Sequence, residues 1–100
     1  MNLLIPVDCD KRHEALLTTL DNSKDWAFIE LDEGQITSCT FYKDRNDIQT
    51  WVETVVVINE SEYVWQFIEE NIMVLVAPVQ RSIDEVVEAY LFRELHDLNV

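Results

Sequence analysis

The sequence predicts an α/β fold, a five-stranded mixed sheet flanked by helices, on three observations. Residues 54–58 (TVVVI) and 73–77 (MVLVA) are short unbroken apolar runs, the length of a strand buried on both faces. Each run is followed by residues that open a helix, so the half from Thr54 to Glu94 reads strand, helix, strand, helix. Helices between such strands supply the cover, which implies a parallel pair joined by a right-handed crossover.

In chain order, residues 2–7 (NLLIPV) form the first strand, and Pro6 limits the pairing near its end. Residues 13–20 place Ala15, Leu16, Leu17 and Leu20 at helical spacing and predict a short helix that must be packed to persist. Residues 25–31 alternate, with Ala27, Ile29 and Leu31 on one face and Trp26, Phe28 and Glu30 on the other. Asp32-Glu33-Gly34-Gln35 then predicts a three- to four-residue hairpin loop, with Gly34 free to take the left-handed conformation, and residues 36–43 pair back. Large apolar residues on both faces predict a hairpin covered on both sides.

Residues 46–53 predict a helix of barely two turns, with Asn46 as its N-cap and Ile48, Trp51 and Val52 on one stripe. Asn59-Glu60-Ser61-Glu62 offers an N-cap with an acidic residue three positions on, Val64, Phe67 and Ile68 make the buried face, and Asn71 is a C-terminal stop. Ser82-Ile83-Asp84-Glu85 is a capping box, and Ile83, Val86, Val87, Tyr90 and Leu91 give the stripe of a last helix expected to run to about Asp97. His96 is then a surface residue favoured by the helix dipole. With the first strand central, the strand order is 3-2-1-4-5. This puts a topological switch point, where ligands of open α/β sheets bind, between strands one and four.

Composition bounds the function. One hundred residues make a single domain, and 48% hydrophobic residues are too many for a disordered chain. Twenty acidic against seven basic residues give a net charge of −13, a field that repels phosphate backbones and anionic membranes. Nucleic acid and lipid are therefore not expected partners; a basic protein surface or cations are. Gly34 is the lone glycine, which excludes the glycine-rich phosphate loops. Asp8 interrupts the N-terminal apolar stretch and no run approaches a membrane span, so no signal peptide and a cytoplasmic location are expected.

Three segments carry a family likeness: MNLLIPVD at residues 1–8, FIELDEGQITS at 28–38 and MVLVAPVQRSIDEVVEAYLFREL at 73–95. In these the chain resembles the dinitrogenase iron–molybdenum cofactor biosynthesis family, the NifX-like proteins, as a divergent member. The resemblance implies a single NifX-like domain over residues 1–100 with a ribonuclease-H-like sheet. It also implies a small non-enzymatic protein that carries or chaperones iron–sulfur or iron–molybdenum cofactor precursors. Family members carry a His-Phe-Gly-Arg segment where this chain has Asp21-Asn22-Ser23-Lys24, and a glycine-rich turn where it has Asn59-Glu60-Ser61-Glu62. With those motifs largely lost, the alternative is an acidic protein–protein interaction or regulatory module that keeps the fold without a cofactor.

For the carrier reading the candidate ligands lie just after the first strand. Asp8, Cys9 and Asp10, with His13 if the loop folds back, are the candidate cofactor-binding residues, and Cys9 is the candidate metal ligand because a thiolate takes a thiophilic metal or cluster. Adjacent residues cannot all face one ion, and the flanking carboxylates disfavour the thiolate. The plain alternative is a polar loop with one incidental cysteine. Cys39, in mid-strand, is expected to pack as a small core residue. Among Trp26, Trp51 and Trp65, one facing solvent would anchor a protein partner.

Overall fold

The computed structural model describes residues 1–98, and its sheet has six strands in the order β3-β2-β1-β4-β5-β6. They are β1 (Asn2–Val7), β2 (Asp25–Asp32), β3 (Gln35–Tyr42), β4 (Thr54–Val57), β5 (Met73–Val76) and β6 (His96–Asp97), with helices α1 (Trp65–Glu69) and α2 (Ile83–Leu91). β1 pairs antiparallel with β2 and parallel with β4, so the sheet is mixed, and β4 and β5 run parallel in register. The expected order holds for the first five strands. The sixth corrects the expected count.

Apolar side chains on the two faces of the sheet feed two cores. Leu3, Ile5, Val7, Ala27, Ile29 and Val56 pack with Ile83, Val86 and Val87 of α2. Leu4, Phe28, Val55 and Val57 pack with Phe67 of α1. This is why β1 and β4 lack a polar face: every residue of both strands is buried. The hairpin is covered less evenly than expected, since β2 is mostly buried while the side chains of β3 are half-buried or exposed. Its loop is also shorter than expected. Asp32 pairs with Gln35, leaving Glu33 and Gly34 as a two-residue turn with φ of 52° and 77°. Two successive positive φ values match the right-handed strand twist, and Gly34 takes its value without the strain a side chain would bring. Pro6 is tolerated in a central strand because the β1–β4 ladder comprises only Leu3–Thr54 and Leu4–Val55.

Neither of the two short helices expected early in the chain forms. In residues 13–20, Ala15 and Leu17 are buried while Leu16 is exposed, a period of two. Leu17 bridges back to Val7, Leu16 bridges to Ser82, and the Leu17 N–H donates to Arg81 O at 2.7 Å. An extended strip bonded on both sides outweighs a helix too short to stand alone. Only a 3-10 turn, Leu20–Asn22, follows. In residues 46–53 a 3-10 turn at Arg45–Asp47 is capped by Asp44, not Asn46, whose own N–H donates to the Asp44 carboxylate at 2.8 Å. Trp51 consequently faces solvent, not a helical stripe.

α1 is a turn shorter than expected. It starts at Trp65 and stops where Asn71 takes φ 62°, the role expected of it. α2 has the complete capping box: the Glu85 N–H donates to Ser82 Oγ and the Ser82 N–H to Glu85 Oε1, both at 3.0 Å. It ends at Leu91, short of Asp97, because Arg93 turns left-handed at φ 59° and the Glu94 N–H reaches back to Ala89 O at 2.8 Å. His96 therefore lies in β6, exposed, not in a helical turn. Among the described residues no helix is long and apolar enough to cross a membrane.

The capping box gives a pH dependence. Hydrogen bonds from the Ser82 and Arg81 backbone N–H groups, then from the Ser82 side chain, hold the Glu85 carboxyl below its usual pKa. A carboxyl depressed by folding stabilises the folded state above the ordinary glutamate range, and that stability is lost as pH falls through the depressed value. Glu85→Ala is expected to lower the urea midpoint at neutral pH, and the gap from the parent protein is expected to close in acid. Urea titrations of both proteins across the acid range check this.

Candidate functional site

The carboxyl ends of β1 and β4 lie next to each other, and what the chain builds beyond them starts with β1's exit. Residues 8–16 leave toward α2 as a closed loop. The Asp8 N–H donates to Leu16 O at 3.1 Å, and the Leu16 N–H returns a bond to the Asp8 carboxylate at 3.0 Å. Arg12 of this loop pairs with Asp84 at the start of α2. The chain then crosses to the other face, where the Thr18 N–H donates to Pro6 O at 3.0 Å and the 3-10 turn at Leu20–Asn22 begins.

That turn makes one wall of a cleft of about 670 Å³ at the switch point, on the α1 face. Thr19, Leu20, Asp21, Asn22 and the half-buried Trp26 line this side. Asn59, Ser61, Glu62, Tyr63 and Gln66, from the loop leaving β4 and the first turn of α1, line the other. The cleft thus sits where the strand order places a ligand.

Glu62 joins the two walls. One carboxylate oxygen accepts from the Leu20 N–H at 2.6 Å, and the other accepts from the Ile58 N–H at 2.8 Å. Two backbone donors from opposite sides of the switch point converge on one internal anion. The Asn59 carboxamide oxygen accepts from both the backbone N–H and the hydroxyl of Ser61, at 3.0 and 2.6 Å. Asn59 and Glu62 therefore shape the loop in place of capping a longer helix. Behind the wall, Phe67 is fully buried, with Trp26 edge-on at 6.3 Å between centroids and the Arg45 guanidinium 4.8 Å over its ring. Arg45 also bonds the Glu70 carboxylate at 2.6 Å, so its charge is held at the back of α1, outside the lining.

The cleft's chemistry is aromatic and acidic. Trp26 and Tyr63 supply ring surface, Asp21 and Glu62 supply carboxylates, and no lysine, arginine, histidine or cysteine lines it. Tyr63 is 71% exposed, and Trp65, the first residue of α1, is 59% exposed. Such a lining suits a cation, which gains from both the ring faces and the carboxylates.

The residues singled out from the sequence lie elsewhere. Asp8 is exposed and engaged with Leu16, Asp10 and His13 are exposed, and Cys9 is half-buried against the α2-side core. None of the four lines the cleft, which opens on the other face of the sheet. Among the described residues no three His, Cys, Asp or Glu side chains are grouped so as to hold a metal ion. A donor set of one half-buried thiol, the Asp8 carboxylate bonded to the Leu16 N–H, and the exposed Asp10 and His13 does not fit an iron–sulfur or iron–molybdenum group, which calls for several soft ligands. Cys39 packs against the α2-side core, and burial, partly offset by Arg12, pushes its thiol pKa up. Both cysteines are free thiols. Sequence reasoning missed the role of Glu62; the signal it left was an acidic residue three positions after Asn59, read there as a helix cap.

No protein-family model and no curated protein matches the chain. Among solved structures it is similar to the crystal structure of a "putative dinitrogenase" from Methanocaldococcus jannaschii, with a TM-score of 0.76 at 16% identity over 97% of this chain and 93% of that one. An NMR structure under the same name gives a TM-score of 0.77 at 16% identity over 100% and 94%. The crystal structure of PH0822 gives 0.74 at 16% over 97% and 96%. The chain therefore shares the α/β fold of the "putative dinitrogenase" structures. At this identity the likeness concerns the fold alone.

Proposed function

We propose that this protein is a non-enzymatic interaction module on a NifX-like, ribonuclease-H-like fold, and that its switch-point cleft takes a basic segment of another protein. The observation that carries this is the lining itself: Trp26 and Tyr63 beside Asp21 and Glu62, with no cationic side chain. Trp65 is exposed and lies in sequence between the lining residues Tyr63 and Gln66, and a net charge of −13 steers cationic partners toward the molecule.

The second reading keeps the family's implied role, a carrier of an iron–sulfur or iron–molybdenum cofactor precursor held near Asp8, Cys9, Asp10 and His13. What favours it is the fold likeness to the "putative dinitrogenase" structures. The donor set disfavours it.

Titration with an oligolysine peptide, followed by tryptophan fluorescence, separates specific from bulk attraction. Asp21→Asn and Tyr63→Ala are each expected to weaken binding about tenfold, a loss of about 1.4 kcal/mol. Glu88→Gln, the same charge change on α2, is expected to leave it unchanged. Equal losses in Asp21→Asn and Glu88→Gln would mean a diffuse electrostatic effect and would sink the cleft proposal. For the carrier reading, stoichiometric iron in protein isolated anaerobically, lost in Cys9→Ala, would establish it in place of the interaction module.

A further inference from the structure

β3 is an edge strand of the sheet, at the opposite side from β6, and its eight residues, QITSCTFY, carry no charge in a chain where 27% of residues are charged. Its outward groups follow from the ladder. The Leu31 N–H donates to Met1 O at 2.8 Å, so Leu31 turns its backbone toward β1. Alternation then turns Glu30, Phe28 and Trp26 toward β3, where they pair with Ser38, Thr40 and Tyr42. The backbone groups of Cys39 and Phe41 are left pointing away from the sheet.

Natural edge strands are blunted by lysine, proline, bulges or brevity, because an open row of N–H and C=O groups templates another strand. β3 has neither lysine nor proline, it is eight residues long, and its one register irregularity lies by the turn, opposite Glu30–Leu31.

We infer that β3 pairs antiparallel with β3 of a second copy, so that one sheet continues through a two-fold axis. A second copy is the occupant that brings an open strand of the same length. Two molecules of net charge −13 repel wherever their acidic surfaces meet, and the eight residues of β3 are a stretch along which they touch with no like charge in contact. A basic partner would find no carboxylate along the strand. The inference concerns a different surface from the cleft and does not depend on it.

Sedimentation equilibrium over a concentration series, at low and high salt, measures the association. The parent protein is expected to dimerise, and more tightly as salt screens the net repulsion. Thr40 is exposed mid-strand, so Thr40→Lys leaves the fold intact and places a charge on both copies. It is expected to weaken dimerisation by at least about tenfold. Thr50→Lys, the same charge change at an exposed position outside β3, is expected to dimerise at least as well as the parent. Hydrogen exchange gives a residue-level readout: the Cys39 and Phe41 amides gain protection with concentration, and the inward Ser38 and Thr40 amides do not change. A parent that stays monomeric at every concentration, or a Thr40→Lys dimer as tight as the parent's, overturns the inference. So would Cys39 and Phe41 amides indifferent to concentration.

Discussion

Truncating Phe67 to alanine is expected to cost about 3–5 kcal/mol, the range for emptying a fully buried aromatic site. Against the total of about 5–15 kcal/mol for an ordinary domain, this brings the protein near its unfolding threshold. The cost is high because of what the ring does. α1 has five helical residues, too few to hold together in water, and Phe67 is its fully buried residue. The same ring is the surface on which Trp26 and Arg45 rest, so the cavity would border both the cleft wall and the Arg45–Glu70 pair. Trp65→Ala, two residues away but exposed, is expected to change stability by less than about 0.5 kcal/mol. Urea unfolding of the two variants checks the contrast. A Phe67→Ala cost close to that of Trp65→Ala would mean that α1 is not held by this contact.

Removing the Glu62 carboxylate is expected to be the next largest effect, about 2–4 kcal/mol for Glu62→Ala. Hydrogen bonds to a charged group contribute about 1.5–3 kcal/mol each, and the two here are not fully additive because they share one side chain. The informative variant is Glu62→Gln. Leu20 and Ile58 each present an N–H, and each needs an acceptor. A carboxylate has two acceptor oxygens in the same plane, whereas a carboxamide has one and turns its NH2 group toward the second donor. Glu62→Gln is therefore expected to recover little of the loss, despite its matching size. Urea midpoints for the parent, Gln and Ala proteins decide it: a Gln variant as stable as the parent would show that one bond suffices and that Glu62 does not clamp the two walls.

Glu62 also shows where reading the chain stopped being enough. Its position three residues after Asn59 has the spacing of a helix cap, and locally that is the best use for it. In the fold its carboxylate reaches Leu20, forty-two residues away, and helix α1 starts only at Trp65. The location of the cleft followed from the strand order, because a switch point is a property of topology. Its lining did not, since the residues come from two loops whose conformations depend on each other.

The same division runs through the elements. β1, β4, β5, the β2–β3 hairpin and α2 were legible because each is dictated by neighbours in sequence. Unbroken aliphatic runs need burial on both faces, Gly34 permits the tight turn, and Ser82 and Glu85 satisfy one another's backbone N–H groups at the start of α2. Residues 13–20 carried apolar spacing compatible with a helix. The strip became extended because Val7, Arg81 and Ser82 offered hydrogen bonds that a helix would have forgone. Residues 46–53 likewise gave up a helix once Asp44 capped a single turn. α2 stopped at a left-handed Arg93, a residue that does not announce a stop, and this released His96 and Asp97 to pair with β5 as a two-residue strand too short to leave a periodic trace. The sequence by itself determined where apolar surface had to be buried and where helices and turns had to begin. Tertiary structure alone decided the fate of segments with near-equal local choices, because there a few kcal/mol of long-range hydrogen bonding exceeds the small free-energy difference between a short helix and an extended strip.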